Sequence, residues 1–148
     1  MLHIINNLQD EFLRLLKDDP VRPEIPAEQR VNSNSQIFVL KNDANEPLAV
    51  TCVKFLADIP ESVTDLADTV VNTNTAVFYT IWSYAPGAGR TLIFDAVRHI
   101  KENKPEIQRY VTLSPKTEMA KRFHLRNGAV VFRENEDTVN YEYHRVIL

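Results

Sequence analysis

The sequence is sparing with the residues that staple or hinge a chain. It has one cysteine, Cys52, in 148 residues, so no disulfide can close within it. A lone thiol fits a reducing compartment, and the expected localisation is cytoplasmic. No Cys/His cluster has metal-ligand spacing, so no metal is expected. Glycine is scarcer still: Gly87, Gly89 and Gly128 are the 3 present, where an average usage of about 7% would supply about ten. Glycines this few are expected where backbone geometry demands them. No apolar run approaches the ~20 residues that span a bilayer. The opening MLHIINNLQDEF meets amide and acidic residues too soon for a signal peptide. Nor is there an excess of one charge: 17 Lys and Arg against 20 Asp and Glu leave a net charge of −3, which argues against a general nucleic-acid binder. Lys116, Lys121, Arg122 and Arg126 cluster in sequence but read as a solvated helix face.

What is present is ordinary globular material. The hydrophobic fraction of 44% and the length suit one domain over 1–148 with a sizeable core. Residues 7–19, NLQDEFLRLLKDD, form an amphipathic helical pattern with Leu8, Phe12, Leu15 and Leu16 on one face and Pro20 beyond the end. The following proline-rich, polar stretch is a loop able to cover a site. SQIFVLK, the turn NDANEP and LAVTCVKFLA make a hairpin over 36–57. A short helix is expected near 63–70. TAVFYTIWSYA, β-branched and aromatic, is a central strand. GRTLIFDAVRHIKENK is a helix with Leu92, Ala96, Val97 and Ile100 in a stripe, stopped by Pro105. QRYVTLS is a strand, KTEMAKRFHLRN a helix ending at Gly128, and AVVFRE with TVNYEYHRVIL a closing hairpin. The order predicts an α/β (α+β) domain whose mixed, mostly antiparallel sheet holds one central parallel β–α–β crossover, with flanking helices.

Two stretches carry candidate chemistry. YAPGAGRT joins the central strand to the first long helix. Its glycines free backbone N–H groups to converge on an anion at the helix start, and Arg90 and Thr91 offer further donors. It is neither a Walker A loop nor a full G-x-G-x-x-G, and a tight strand–helix turn looks the same. The second stretch is TLSPKTEMAKRFHLRNGAVV. Ser114 before Pro115 suits a helix cap, with Pro at the first helical position. His124 suits proton transfer near neutral pH, or a half-exposed helix position. If the helix began at Pro115, its rise would put His124 about 13–14 Å away along the axis, too far to share a small ligand with Ser114. Both can act together only if Lys116 is loop and Thr117 is the true cap. Asn127-Gly128 reads as a C-cap. Cys52 reads as a buried hydrophobe, and His3, His99 and His144 have no nameable partners.

The strand, the [Gln/Arg]-x-x-Gly-x-[Gly/Ala] pattern and the helix–strand–helix that follows resemble the GNAT acyl-CoA transferase superfamily. In it this loop cradles the CoA pyrophosphate. Tyr84, Ala85, Pro86, Gly87, Ala88 and Gly89 occupy the motif, continued by Arg90 and Thr91, with Tyr84 standing where Gln or Arg is usual. Four stretches, EPLAVTCVKFLADIP, TAVFYTI, KPEIQRYVTLSP and AKRFHLRNGAVVFREN, resemble the catalytic domain of malonyl-CoA decarboxylase in that family's order. The resemblance implies that Ser114 of LSP and His124 of FHLRNGA are a catalytic pair and that the ligand is a coenzyme A thioester, acetyl-CoA or malonyl-CoA. It departs from the family in lacking the N-terminal helical domain, and in having only residues 116–123 where the family has a long insertion. The implied activity is decarboxylation of a malonyl thioester. Transfer of acetyl to an amine and non-catalytic acyl-CoA binding are the alternatives, with an acyl-carrier protein or an amine acceptor as the partners these readings involve.

Overall fold

The computed structural model describes residues 1–67 and 69–144. Residue 68, in the expected 63–70 helix, and 145–148, the end of the last expected strand, lie outside the described residues. Eight strands form one sheet in the order β1-β2-β3-β4-β5-β8-β6, with β7 paired to β8. The strands are β1 (Leu2–Ile5), β2 (Ser35–Lys41), β3 (Pro47–Leu56), β4 (Thr75–Ser83), β5 (Arg109–Thr112), β6 (Ser114–Pro115), β7 (Val130–Glu134) and β8 (Thr138–Glu142). Among the described residues only β4 and β5 run parallel, and helix α1 (Ala88–Asn103) is their crossover; α2 (Glu118–Arg126) links β6 to β7. The expected mixed, mostly antiparallel sheet with one parallel β–α–β is therefore what the chain forms.

α1 buries Leu92, Ile93, Ala96, Val97 and Ile100 against the sheet, on Phe38, Val53, Ala76 and Phe78. The other face packs Ile37, Val39, Val50, Val77 and Val111 against Phe12 and Leu15 from the N-terminal segment. That segment differs from the expected helix over 7–19. It is a 3₁₀ helix, Glu11–Asp18, capped by Asp10, whose side chain accepts from Phe12 N–H, and Leu8 is left exposed. The 63–70 helix is a 3₁₀ turn, Val63–Ala67. β1 was not expected; four residues, LHII, are too short to show a period, and their partner is β2, more than thirty residues on. His3 does have a partner, Asp10 Oδ2 at 2.7 Å from Nε2.

β3 and β4 carry a bulge. Cys52 pairs with Thr80 and Val53 with Phe78, which leaves Tyr79 as an extra residue on β4. Tyr79 and Thr80 then both turn to the N-terminal side of the sheet, Tyr79 into that core and Thr80 onto Asp19.

Candidate functional site

β4 and β5 pair only as far as Phe78 and Thr112, and the last link is Leu113 N–H to the Phe78 carbonyl at 3.1 Å. Beyond it the chains part: β4 runs on to Ser83, while Ser114 and Pro115 turn to pair with Val139 and Thr138 of β8. The ends of diverging parallel strands are where open α/β sheets take ligands. Here the gap opens a cavity of about 490 Å³. Residues 78–83 form one side, Leu113, Ser114 and Pro115 another, and Pro20 and Val21 of the proline-rich loop close over it. α2 supplies Met119, Ala120, Phe123 and His124, and α1 supplies Gly89. None of the described lining residues is Lys, Arg, Asp or Glu.

The start of α2 decides whether Ser114 and His124 can meet. Thr117 is its cap, with its hydroxyl accepting from Ala120 N–H at 3.2 Å, and Ser114 lies in β6 instead of capping the helix. This is the arrangement the spacing argument required. At the other end Gly128 has φ 98°, Gly128 N–H donates to the Leu125 carbonyl, and Ala129 N–H donates to that of His124. Those two bonds form a Schellman closure, and they fix the backbone that carries the imidazole.

The His124 ring is turned inward, with the residue 3% exposed. It stacks on Tyr141 at 5.1 Å between ring centroids, and its Nδ1 lies 2.7 Å from the Tyr143 hydroxyl. Burial pushes the imidazole down to about 4 and the Tyr143 phenol well up. The buried phenol has no other acceptor among the described residues, so it is assigned as the donor and Nδ1 as the acceptor, which leaves the neutral ring's hydrogen on Nε2, itself without a partner among the described residues. Ser114, also buried, donates to Thr112 Oγ1 at 2.7 Å, and that oxygen in turn accepts from Tyr141 N–H at 3.1 Å. Ser114 and His124 thus share the cavity without bonding to each other. Tyr141 and Tyr143, two residues apart in sequence, support both groups.

The depressed imidazole has a thermodynamic consequence. The folded ring takes its proton near 4 while an unfolded chain takes it near 6.5, so unfolding binds a proton between those values. This contribution to stability is intact above about pH 6.5 and falls away toward pH 4, by on the order of 3 kcal/mol. Denaturation of the wild type and His124→Gln across that interval checks it; the wild type should lose more, and parallel curves would contradict the burial of a neutral ring.

The glycine loop divides in its roles. Gly87, at φ 77°, caps α1 in the left-handed region with nothing within 4 Å of where a Cβ would stand. At Gly89 a Cβ would stand 3.1 Å from ring carbons of Phe123, so this glycine makes room for α2. The N–H groups of Gly87, Gly89 and Arg90 have no acceptor among the described residues, whereas Ala88 N–H reaches the Ala85 carbonyl at 3.3 Å. The nearby side chains point elsewhere. Tyr84 donates to Asp18 and accepts from Trp82 Nε1, and Arg90 donates to Asn127 Oδ1 at 3.0 Å while lying over Phe94. Thr91 Oγ1 is 3.5 Å from the Gly87 carbonyl. Pro86 completes the turn. Asn127 Nδ2 is buried without an acceptor.

A polar cluster that the sequence did not reveal lies behind the bulge. Arg30, fully buried, pairs with Asp19 Oδ2 at 2.7 Å and also donates to Cys52 Sγ and to the carbonyls of Ile25 and Arg22. Burial pushes the Asp19 carboxyl up, but the Arg22 and Val21 amides, Arg30 and the Thr80 hydroxyl outweigh it and hold it below the usual range. Cys52 is thus buried as expected, with a cation beside it. No group of three or more metal-ligating side chains exists among the described residues, and no described helix is long and apolar enough to cross a membrane.

The sheet order, the parallel pair that splays beyond Phe78, and the glycine-started crossover helix define a GNAT-like fold. Within it the chain is related in structure to malonyl-CoA decarboxylase. The Cupriavidus metallidurans decarboxylase matches with a TM-score of 0.76 at 16% identity, over 97% of this chain and 60% of that one. The Agrobacterium vitis decarboxylase matches at 0.69 and 22% identity, over 83% of this chain and 35% of that one. PaiA N-acetyltransferase of Thermoplasma acidophilum, solved with coenzyme A, matches at 0.62 and 12% identity, over 97% of this chain and 98% of that one. The chain therefore spans 35% to 60% of the length of those decarboxylases. No family model and no curated protein matches the sequence.

Proposed function

We propose that the protein is an acyl-CoA-dependent enzyme that decarboxylates malonyl-CoA, or another malonyl thioester, to the acetyl thioester. The observation that carries this reading is a cavity holding Ser114 and His124 with no charged residue in its described lining. A carboxylate placed there leaves water and meets no Lys or Arg, only the imidazole of His124. That raises the ground state more than a transition state in which the charge spreads toward the thioester oxygen. The carbon–carbon bond breaks, carbon dioxide leaves, and the electron pair passes into a thioester enolate.

Each group then has a task. The Ser114 hydroxyl, turned from Thr112 Oγ1 to the substrate, holds the departing carboxylate out of the thioester plane. The developing oxyanion calls for a backbone N–H donor from the β4 segment that lines the cavity. The substrate carboxylate beside His124 offsets the burial that otherwise keeps the ring neutral, so Nδ1 takes a second proton relayed from solvent through the Tyr143 hydroxyl, whose oxygen then accepts from Nδ1. Once carbon dioxide has gone, Nε2 hands its proton to the enolate carbon and the ring returns to neutral. The unpaired amides of Gly87, Gly89 and Arg90 suit the CoA pyrophosphate, and Asn127 Nδ2 is a further donor beside them. Acetyl transfer to an amine is less well served: no carboxylate is among the described cavity-lining residues to attract an ammonium group.

Incubation with malonyl-CoA and no acceptor, following acetyl-CoA and carbon dioxide, tests the reading. Formation of both is expected. CoA release only from acetyl-CoA with amines present would replace it with acetyl transfer, and binding without either reaction would leave an acyl-CoA-binding domain.

A further inference from the structure

The outward surface of α2 is unlike the rest of this mildly acidic chain. Lys116, Lys121, Arg122 and Arg126 are all exposed, and none has an ion-pair partner among the described residues. Two apolar side chains stand among them, Met119 at 79% exposure and Leu125 at 39%. Met119 also lines the cavity, so it marks the mouth, while the cations lie on the outward side of the helix and none of them lines the cavity. Glu118 is the only acid on the helix.

The cations are too widely spread for one small anion. At about 100° per residue, Lys121 and Arg126 stand about 140° apart around the helix. A nucleotide seated against the glycine loop meets α2 on the Phe123 flank, where Gly89 touches it. It would leave Lys121 on the far side. A ligand that engages both flanks together with Met119 and Leu125 must lie across the helix, which is the footprint of a protein. Its surface must be acidic, to match four unpaired cations, with an apolar residue to cover Met119. Its acyl group must reach a recessed cavity on a long, thin arm.

We infer that α2 docks an acidic carrier protein that delivers its acyl group on a phosphopantetheine arm. This rests on the reading of the cavity as a malonyl-thioester site and adds the carrier's identity to it.

The experiment uses a purified acidic acyl-carrier protein loaded with malonyl-phosphopantetheine, alongside malonyl-CoA and malonyl-pantetheine. It compares the wild type with the double variant Lys121→Glu/Arg122→Glu. Wild-type kcat/KM should be at least tenfold higher on the carrier than on malonyl-CoA. The variant should lose at least tenfold on the carrier and keep its rate on malonyl-pantetheine, and the wild-type carrier rate should fall with added salt. Calorimetric titration with the unloaded phosphopantetheinyl carrier reads docking without turnover. If no malonyl substrate is consumed while that titration shows tight binding lost in the variant, the decarboxylase reading fails and the docking surface stands. Equal rates on carrier and CoA, unchanged carrier binding in the variant, or equal losses on all three substrates would overturn the docking surface.

Discussion

His124→Ala is expected to lower kcat for malonyl-CoA roughly 10²- to 10⁴-fold, the range that a positioned proton donor contributes. KM should move far less, because the ring sits at the acyl end while the glycine-loop amides that suit the pyrophosphate are untouched. The loss has a definite origin. Only Nε2 of the ring lacks a partner among the described residues, and the Tyr143 hydroxyl holds the other nitrogen at 2.7 Å. Alanine also removes a ring stacked on Tyr141, so the variant's melting curve must be recorded beside its kinetics. Tyr143→Phe separates the two contributions: it keeps the packing and removes the phenol that fixes the tautomer, so its deficit should be smaller than that of alanine and should change with pH. A His124→Ala enzyme that keeps kcat within threefold of wild type would remove the imidazole from the chemistry.

Arg30→Ala should cost about 3–5 kcal/mol in urea denaturation, the largest stability effect expected in the molecule. Both charged side chains of the pair are fully buried, and deletion of the guanidinium leaves Asp19 ionised in the interior with its amide and hydroxyl donors but no counter-charge. The carbonyls of Ile25 and Arg22 lose their donor as well. The double variant Arg30→Met/Asp19→Asn should recover part of the loss, since replacing both charges removes the stranded one. A single-variant cost below about 1 kcal/mol would mean that water reaches the site. The pair also ties the proline-rich loop that closes the cavity to Thr80, the residue that follows the bulge, so a folded variant here should show altered substrate access.

Residue pattern made most of the sheet and α1 legible. β2, β3 and β4 are long apolar or alternating runs bounded by turn residues, β5 falls within the run QRYVTLS, and α1 has an uninterrupted stripe between Gly87 and Pro105. The Thr117 cap stood in the sequence only as a condition for Ser114 and His124 to share one ligand, since Ser114-Pro115 offered a cap of its own. Other features could not be read. The 3₁₀ form of Glu11–Asp18 differs from an α-helix in hydrogen bonding, which an amphipathic pattern does not encode. A bulge at Tyr79 is a property of two strands' registers, invisible in either alone. Arg30 sits in a stretch of polar residues and prolines that reads as solvent-facing loop, yet it is among the most buried side chains. Tyr143 meets His124 only because β8 folds back beside α2, although the alternation of Tyr141 and Tyr143 was a signal that one face of the last strand is aromatic.

The two glycines before the crossover helix are not interchangeable in what could replace them. Position 87 asks only for a residue that tolerates the left-handed region, so asparagine is a workable substitute there. Position 89 asks for smallness: a Cβ there stands 3.1 Å from Phe123, so alanine needs the ring to give by a few tenths of an ångström, and any larger side chain presses on Phe123 beside the imidazole. A library randomised at both positions should therefore return several residue types at the first and almost none at the second, a sequence logo written by two different constraints.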